Sequence, residues 1–170
     1  TSPDPAVFDR VNRGGTERLA DTLRQATAPL TLVSSLAARH PLISRYAASK
    51  RAAEEAALRA LGPDRVRIVR PPAVWGPGDR ATLLIFRQLA GRVLVAPAPV
   101  RARFSLLHVS DLVTLLARHV EGRLVLPPCH APDDGREGGY GWPDLATMAG
   151  RHTGRRVHVV RLAPGLLLPP

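Results

Sequence analysis

Apolar residues recur at helical spacing through Val7, Val11, Leu19 and Leu23, predicting a long helix over 5–26 with Asp4 as its cap ahead of Pro5. After Pro29 the pattern changes to the short run Leu30-Thr31-Leu32-Val33, as expected of a strand covered on both faces, and this run ends in Ser34-Ser35. An alanine-rich stretch carrying Glu54, Glu55 and Arg59 predicts a second helix over 44–61, stopped by Gly62-Pro63. Val66-Arg67-Ile68-Val69 then reads as another strand before Pro71-Pro72. Strand, helix and strand at this spacing make a parallel crossover, so the pattern favours an alternating α/β fold.

Beyond the loop Trp75-Gly76-Pro77-Gly78-Asp79, helical spacing returns over 81–89. Strand-like segments come next around 93–95 and 104–109, then a helix over 111–120, a strand at Leu124-Val125-Leu126, a helix over 143–152 and a strand over 157–160. Two strands and a crossover make a poor sheet by themselves. The chain also opens almost directly on a helix and stops just after Leu166-Leu167-Leu168, so the expectation is that an amino-terminal part is absent.

A length of 170 residues suits one compact domain. No stretch approaches the roughly 18 consecutive apolar residues of a membrane span, and no secretory signal opens the chain, so a cytoplasmic location is expected. Cys129 is the sole cysteine and cannot form an internal disulfide. The formal charge is +10, but the arginines are scattered with few aromatics between them, which argues against nucleic acid and leaves an anionic small molecule compatible. Adjacent Cys129-His130 lacks further ligands at zinc-like spacing, and no nucleophile elbow is present.

Of the 24 basic residues, all but Lys50 are arginine. A retained lysine suggests a task for a compact ammonium that the planar guanidinium cannot perform. Tyr46 lies four residues earlier on the predicted helix and so shares a face with it. A neighbouring ammonium favours a phenolate, which would equip Tyr46 as a general acid or base. Ser35 falls at the carboxyl end of a predicted strand, where open α/β sheets place their ligands, and its hydroxyl can orient a substrate oxygen.

With these residues the chain resembles the extended short-chain dehydrogenase/reductases, the NAD-dependent epimerase/dehydratase family. Asn12-Arg13-Gly14-Gly15-Thr16 is similar to the family's asparagine-x-x-glycine-threonine helix motif, Val33-Ser34-Ser35 to its catalytic-serine strand, and Tyr46 through Lys50 to its tyrosine-x-x-x-lysine. Arg70 through Gly78 and Arg103 through Leu112 supply further matches in family order. The resemblance implies a partial doubly wound, Rossmann-like parallel sheet, with a catalytic portion over 1–125 and a small carboxyl-terminal substrate region over 126–170. It also implies NAD or NADP as cofactor, with Tyr46 exchanging a proton with a substrate hydroxyl or carbonyl. Lys50 would hold the nicotinamide ribose, Ser35 would orient the substrate oxygen, Asn12 would support the site, and Pro71 and Pro72 would line the nicotinamide pocket. A homodimer through the helices at 5–26 and 44–61 is implied as well.

Two features depart from the family pattern. Its glycine-rich dinucleotide turn should precede the catalytic tyrosine by a long way, and nothing ahead of Tyr46 fits. Gly135-Arg136-Glu137-Gly138-Gly139-Tyr140-Gly141 matches glycine at steps of three but comes after a polar turn, where a surface loop explains it better than a phosphate cradle. Ala73 stands where many nucleotide-sugar members carry a substrate-binding asparagine; an alanine cannot replace that hydrogen bond, which shifts weight toward reductases or dehydrogenases of a hydroxyl or ketone. The expected function is the catalytic portion of an NAD(P)-dependent oxidoreductase or epimerase, incomplete as given. Two alternatives are a non-catalytic interaction protein on this scaffold and a basic nucleic-acid binder.

Overall fold

A computed structural model describes residues 4–96 and 102–161; Leu166-Leu167-Leu168 lies outside them. The fold is α/β with parallel strands, and it divides into two compact units between which the chain passes at 72/73, 109/110 and 132/133.

The first unit contains the described part of Thr1–Pro72 together with Ser110–Pro132. Its sheet has the order β1 (Leu30–Val33), β2 (Val66–Val69) and β6 (Cys129–His130), all parallel. The crossover from β1 to β2 is α3 (Arg45–Leu61), capped by Ser44, whose Oγ accepts from Ala47 N at 3.1 Å, and ended by Gly62 at φ 78°. Ala20, Leu30, Ala57, Leu61, Val66 and Ile68 form the buried cluster between helices and sheet. Each of the large aliphatic members contributes about 1.5–3 kcal/mol by leaving water. Arg65 seals one end of this cluster by donating through Nη2 to the carbonyls of Leu23, Ala26 and Ala28.

The predicted opening helix is interrupted. Asp4 caps Ala6 N at 2.9 Å at the start of α1 (Pro5–Phe8); residues Asp9–Arg13 then make a π-helical turn before α2 (Gly14–Leu23). Gly14 N reaches back to Asp9 O, the five-residue step that defines this turn. The inserted residue rotates the face of α2 by about 100° relative to an unbroken α-helix.

Leu124-Val125-Leu126, predicted as a strand, is irregular. Val125 is 84% exposed, and the Leu124 carbonyl meets His119 Nδ1 at 3.0 Å. The pairing instead begins after Pro127-Pro128: Ile68 N donates to Pro128 O at 2.9 Å, and β6 lies along β2. Proline supplies the carbonyl such a ladder needs but no donor, so pairing starts beyond it.

In the second unit, the described parts of Ala73–Val109 and Asp133–Pro170, β3 (Ala73–Trp75) runs parallel to β5 (Leu106–His108), and β4 (Val93–Ala96) parallel to β7 (His158–Arg161). α4 (Leu83–Ala90) and α6 (Trp142–Thr153) surround a core of Leu89, Leu94, Tyr140, Trp142 and Leu145. The strand β3 escaped the sequence pattern because it is three residues long and lies directly after two prolines. α5 (Val109–Val120) starts at the last residue of this unit and continues in the first. No helix among the described residues is long and apolar enough to cross a membrane.

Candidate active site

The first unit holds every residue singled out for chemistry. β1 delivers its end to Ser34 and Ser35, with Ser34 N extending the ladder to Val69 O at 2.7 Å. Ser35 then caps a short 3-10 turn, its Oγ accepting from Ala37 N at 3.3 Å. The next residue, Leu36, donates to Pro71 O at 2.9 Å, which ties the loop after β2 to the serine turn and brings the buried Pro71 beside Ser35. Pro72 is half-buried on the same loop.

Tyr46 and Lys50 stand on successive turns of α3. Tyr46 is 37% exposed, its ring edge-on to Phe8 with centroids 5.8 Å apart. The Lys50 ammonium lies 6.0 Å from the tyrosine ring centroid and donates to the Val33 carbonyl at 3.3 Å, joining α3 to the end of β1. Burial lowers the Lys50 pKa from its ordinary value, and the negative charge of Glu54 partly opposes the shift. Ser35 and Tyr46 share no hydrogen bond among the described residues.

Asn12 sits on the π-helical turn. Its Nδ2 donates to Ser49 Oγ at 2.9 Å, and Ser49 Oγ donates in turn to the Tyr46 carbonyl at 2.8 Å. The turn thus connects the amide of Asn12 to the helix that bears Tyr46 and Lys50. A cavity of about 20 Å³, with room for a single water, is bounded by Asn12, Thr16, Ser34 and Lys50 among its polar lining.

Sequence reasoning missed the group that braces this arrangement. Glu54, one turn beyond Lys50 and 1% exposed, accepts from Ser34 Oγ, from Arg70 Nε at 2.8 Å and from Arg70 Nη2 at 2.5 Å. The hydrogen bond to Glu54 raises the Arg70 pKa against the lowering effect of desolvation. One buried carboxylate therefore fixes the end of β1, the middle of α3 and the end of β2 together. A signal existed in the spacing of Tyr46, Lys50 and Glu54, which places all three on one helix face.

The glycine loop 135–141 belongs to the second unit, and its polar backbone groups are already engaged: the N–H groups of Gly135 and Arg136 donate to Asp133 and Asp134, and its carbonyls face guanidiniums. Arg103 donates to the Gly138 and Gly139 carbonyls, and Arg136 to Gly139 O at 3.0 Å. Gly141 N, at the start of α6, is already taken by Asp144 Oδ2 at 2.8 Å. A phosphate would require free N–H donors at this helix end, so the loop is a guanidinium clasp. Among the described residues no cluster of three or more His, Cys, Asp or Glu could hold a metal ion.

The fold has clear counterparts in solved structures. A putative epimerase from Burkholderia cenocepacia superposes with TM-score 0.75 at 20% identity, covering 95% of this chain and 59% of that one. The dTDP-4-dehydrorhamnose reductase of Bacillus anthracis, in complex with NADP, gives 0.72 at 17% identity over 96% of this chain and 61% of that one. The UDP-glucuronic acid 4-epimerase of Bacillus cereus gives 0.73 at 14% identity over 95% and 57%. The fold of this chain is therefore similar to that of these epimerases and reductases. Among curated proteins, the ceramide reductase of Caulobacter vibrioides is 43% identical over 166 residues, covering 94% of this chain and 50% of that protein. The chain thus spans about half the length of this curated relative. No family model matches the chain.

Proposed function

We propose that this chain is the proton-transfer portion of an NAD(P)-dependent reductase or dehydrogenase acting on a carbonyl or hydroxyl group. The observation that carries the reading is the Tyr46–Lys50 pair, held on α3 by the Ser49–Asn12 bridge and joined to β1 through Val33. The residues present fit one end of a nicotinamide cofactor: a half-buried cation beside a phenol, with Pro71 and Pro72 on the adjoining loop. Bound nicotinamide would supply or accept the hydride. Tyr46 gives a proton to the substrate oxygen or takes one from it, Lys50 holds a ribose hydroxyl and favours the phenolate, and Ser35 donates to the same substrate oxygen. The weakened hold of Lys50 on its proton and its tether to Val33 O suit a group that must stay next to the phenol without a tight counter-ion.

Ceramide reductase, the curated relative, supports reduction over epimerisation and a lipid carbonyl as the substrate class. Ala73 points the same way, since its methyl group offers nothing to a sugar hydroxyl or nucleotide phosphate. Tyr46→Phe in the complete gene product tests the acid–base role by following NAD(P)H consumption with a long-chain keto-amide. General acid–base catalysis contributes about 10²–10⁴-fold, so a loss in that range is expected. Unchanged turnover would refute the role.

Exposed Val11 and Leu19 on the opening helices, at 61% and 49%, together with exposed Ala48 on α3, support self-association through these helices. Sedimentation of Leu19→Glu checks this: the variant should shift a dimer toward monomer.

A further inference from the structure

The second unit encloses a cavity of about 460 Å³ that the acid–base chemistry does not use. Its walls come from two helices. α4 presents Phe86 and Leu89, and α6 presents Leu145, Met148 and Ala149, positions spaced three and four apart so that they share one face. Trp75 of β3 closes the cavity from the sheet, its ring 5.1 Å from that of Phe86. Met148 is 45% exposed and stands at the mouth.

The charge of the lining decides what fits. Lys and Arg together number 24 in the chain, yet none of the described residues lining this cavity is either. Among the described lining residues the only carboxylate is Asp134, which accepts the hydroxyl of Tyr140; His152 and Thr153 are polar as well. A nucleoside diphosphate placed here would lose its hydration beside a carboxylate with no lysine or arginine among the described lining residues to meet its phosphates, His152 being the one ionisable nitrogen there. A hydrocarbon chain would lose nothing of the kind, because the aromatic and aliphatic walls replace its contact with water.

We propose that this cavity is the seat of an alkyl or acyl chain of the substrate. The proposal rests on reading the chain as part of a carbonyl reductase and assigns the lipid specificity to the face between α4 and α6.

The test uses the purified chain and a series of primary amides from hexanamide to dodecanamide, the longest also carrying a terminal bromine. Of the two tryptophans, Trp75 lines the cavity while Trp142 sits in the core, so bromine should quench the Trp75 part of the fluorescence. Affinity should rise about three- to fourfold with each methylene until the cavity is filled. Met148→Glu, at an exposed position, should weaken dodecanamide binding by about tenfold or more. Ala149→Phe should flatten the length series by filling the space. Length-independent affinity, unchanged binding in both variants or displacement of dodecanamide by uridine diphosphate overturns the proposal. No cofactor or turnover enters the measurement. A failed series beside Tyr46-dependent hydride transfer removes the lipid seat alone, whereas an intact series beside Tyr46-independent turnover removes the acid–base reading alone.

Discussion

Replacing Glu54 with alanine should be among the most damaging single changes in this protein. Its side chain is 2% exposed and that of Arg70 14%, so the variant leaves a guanidinium inside the first unit without its carboxylate. Breaking a buried pair in this way costs about 3–5 kcal/mol. The Ser34 hydroxyl loses its acceptor at the same time, adding about 1 kcal/mol. A sum near 4–6 kcal/mol is a large share of the roughly 5–15 kcal/mol that holds a domain folded.

With a urea slope of about 2 kcal/mol per molar, the unfolding midpoint should fall by roughly 2–3 M. The double variant Glu54→Leu with Arg70→Met removes both charges and fills their space with apolar atoms, so it should recover most of that loss. A midpoint shift below about 0.5 M for Glu54→Ala would refute the argument, given the same slope. So would a double variant no more stable than the single one, since the damage would then have come from lost shape and not from stranded charge.

Gly139 adopts φ 63°, and a Cβ there would meet the Phe104 carbonyl oxygen at 2.7 Å, so Gly139→Ala should destabilise the second unit by about 2–4 kcal/mol in urea unfolding. Ser49→Ala leaves the Asn12 amide without its acceptor and should cost about 1–3 kcal/mol, with turnover of the complete gene product falling more than its substrate affinity. The Asp144 pKa is lowered by the Gly141 N–H, reinforced by Arg103 and Arg136. Its stabilisation is therefore complete above the ordinary carboxylate range and lost as pH falls through the depressed folded value, so Asp144→Ala and the parent should differ in urea midpoint near neutrality and converge in acid. The Lys50 pKa is lowered too, by burial, so folding again strengthens as pH rises from the folded value toward 10.5, and near neutrality the charged ammonium carries a cost. Lys50→Met should accordingly equal or exceed the parent in thermal stability at neutral pH while losing hydride transfer.

Local patterns made the crossover legible, and long-range ones hid its brace. Leu30–Val33, Arg45–Leu61 and Val66–Val69 match the expected elements closely, because burial on both faces of a short strand and alanine on a packed helix leave clear traces in order along the chain. The spacing of Tyr46 and Lys50 was equally readable, since four residues are one helical turn. Glu54 and Arg70 are 16 residues apart, and each has the composition of a solvated surface residue until the fold brings them together. The π-helical turn under Asn12 was hidden for another reason: one inserted residue leaves the apolar spacing of the flanking helices nearly unchanged.

The lysine that stands alone among arginines acquires a physical account from these contacts. Lys50 reaches the Val33 carbonyl while keeping its charge near the Tyr46 ring, and the space beside it amounts to about 20 Å³. An ammonium can turn its three donors toward a carbonyl and a ribose hydroxyl from one point. A guanidinium is a wide planar fork that would align with one of them and displace the other. Arginine does serve nearby, at Arg70, where the partner is a carboxylate whose two oxygens match the fork. Lys50→Arg should therefore keep the charge and the helix yet lose hydride transfer in the complete gene product. Activity equal to the parent would show that charge alone suffices there.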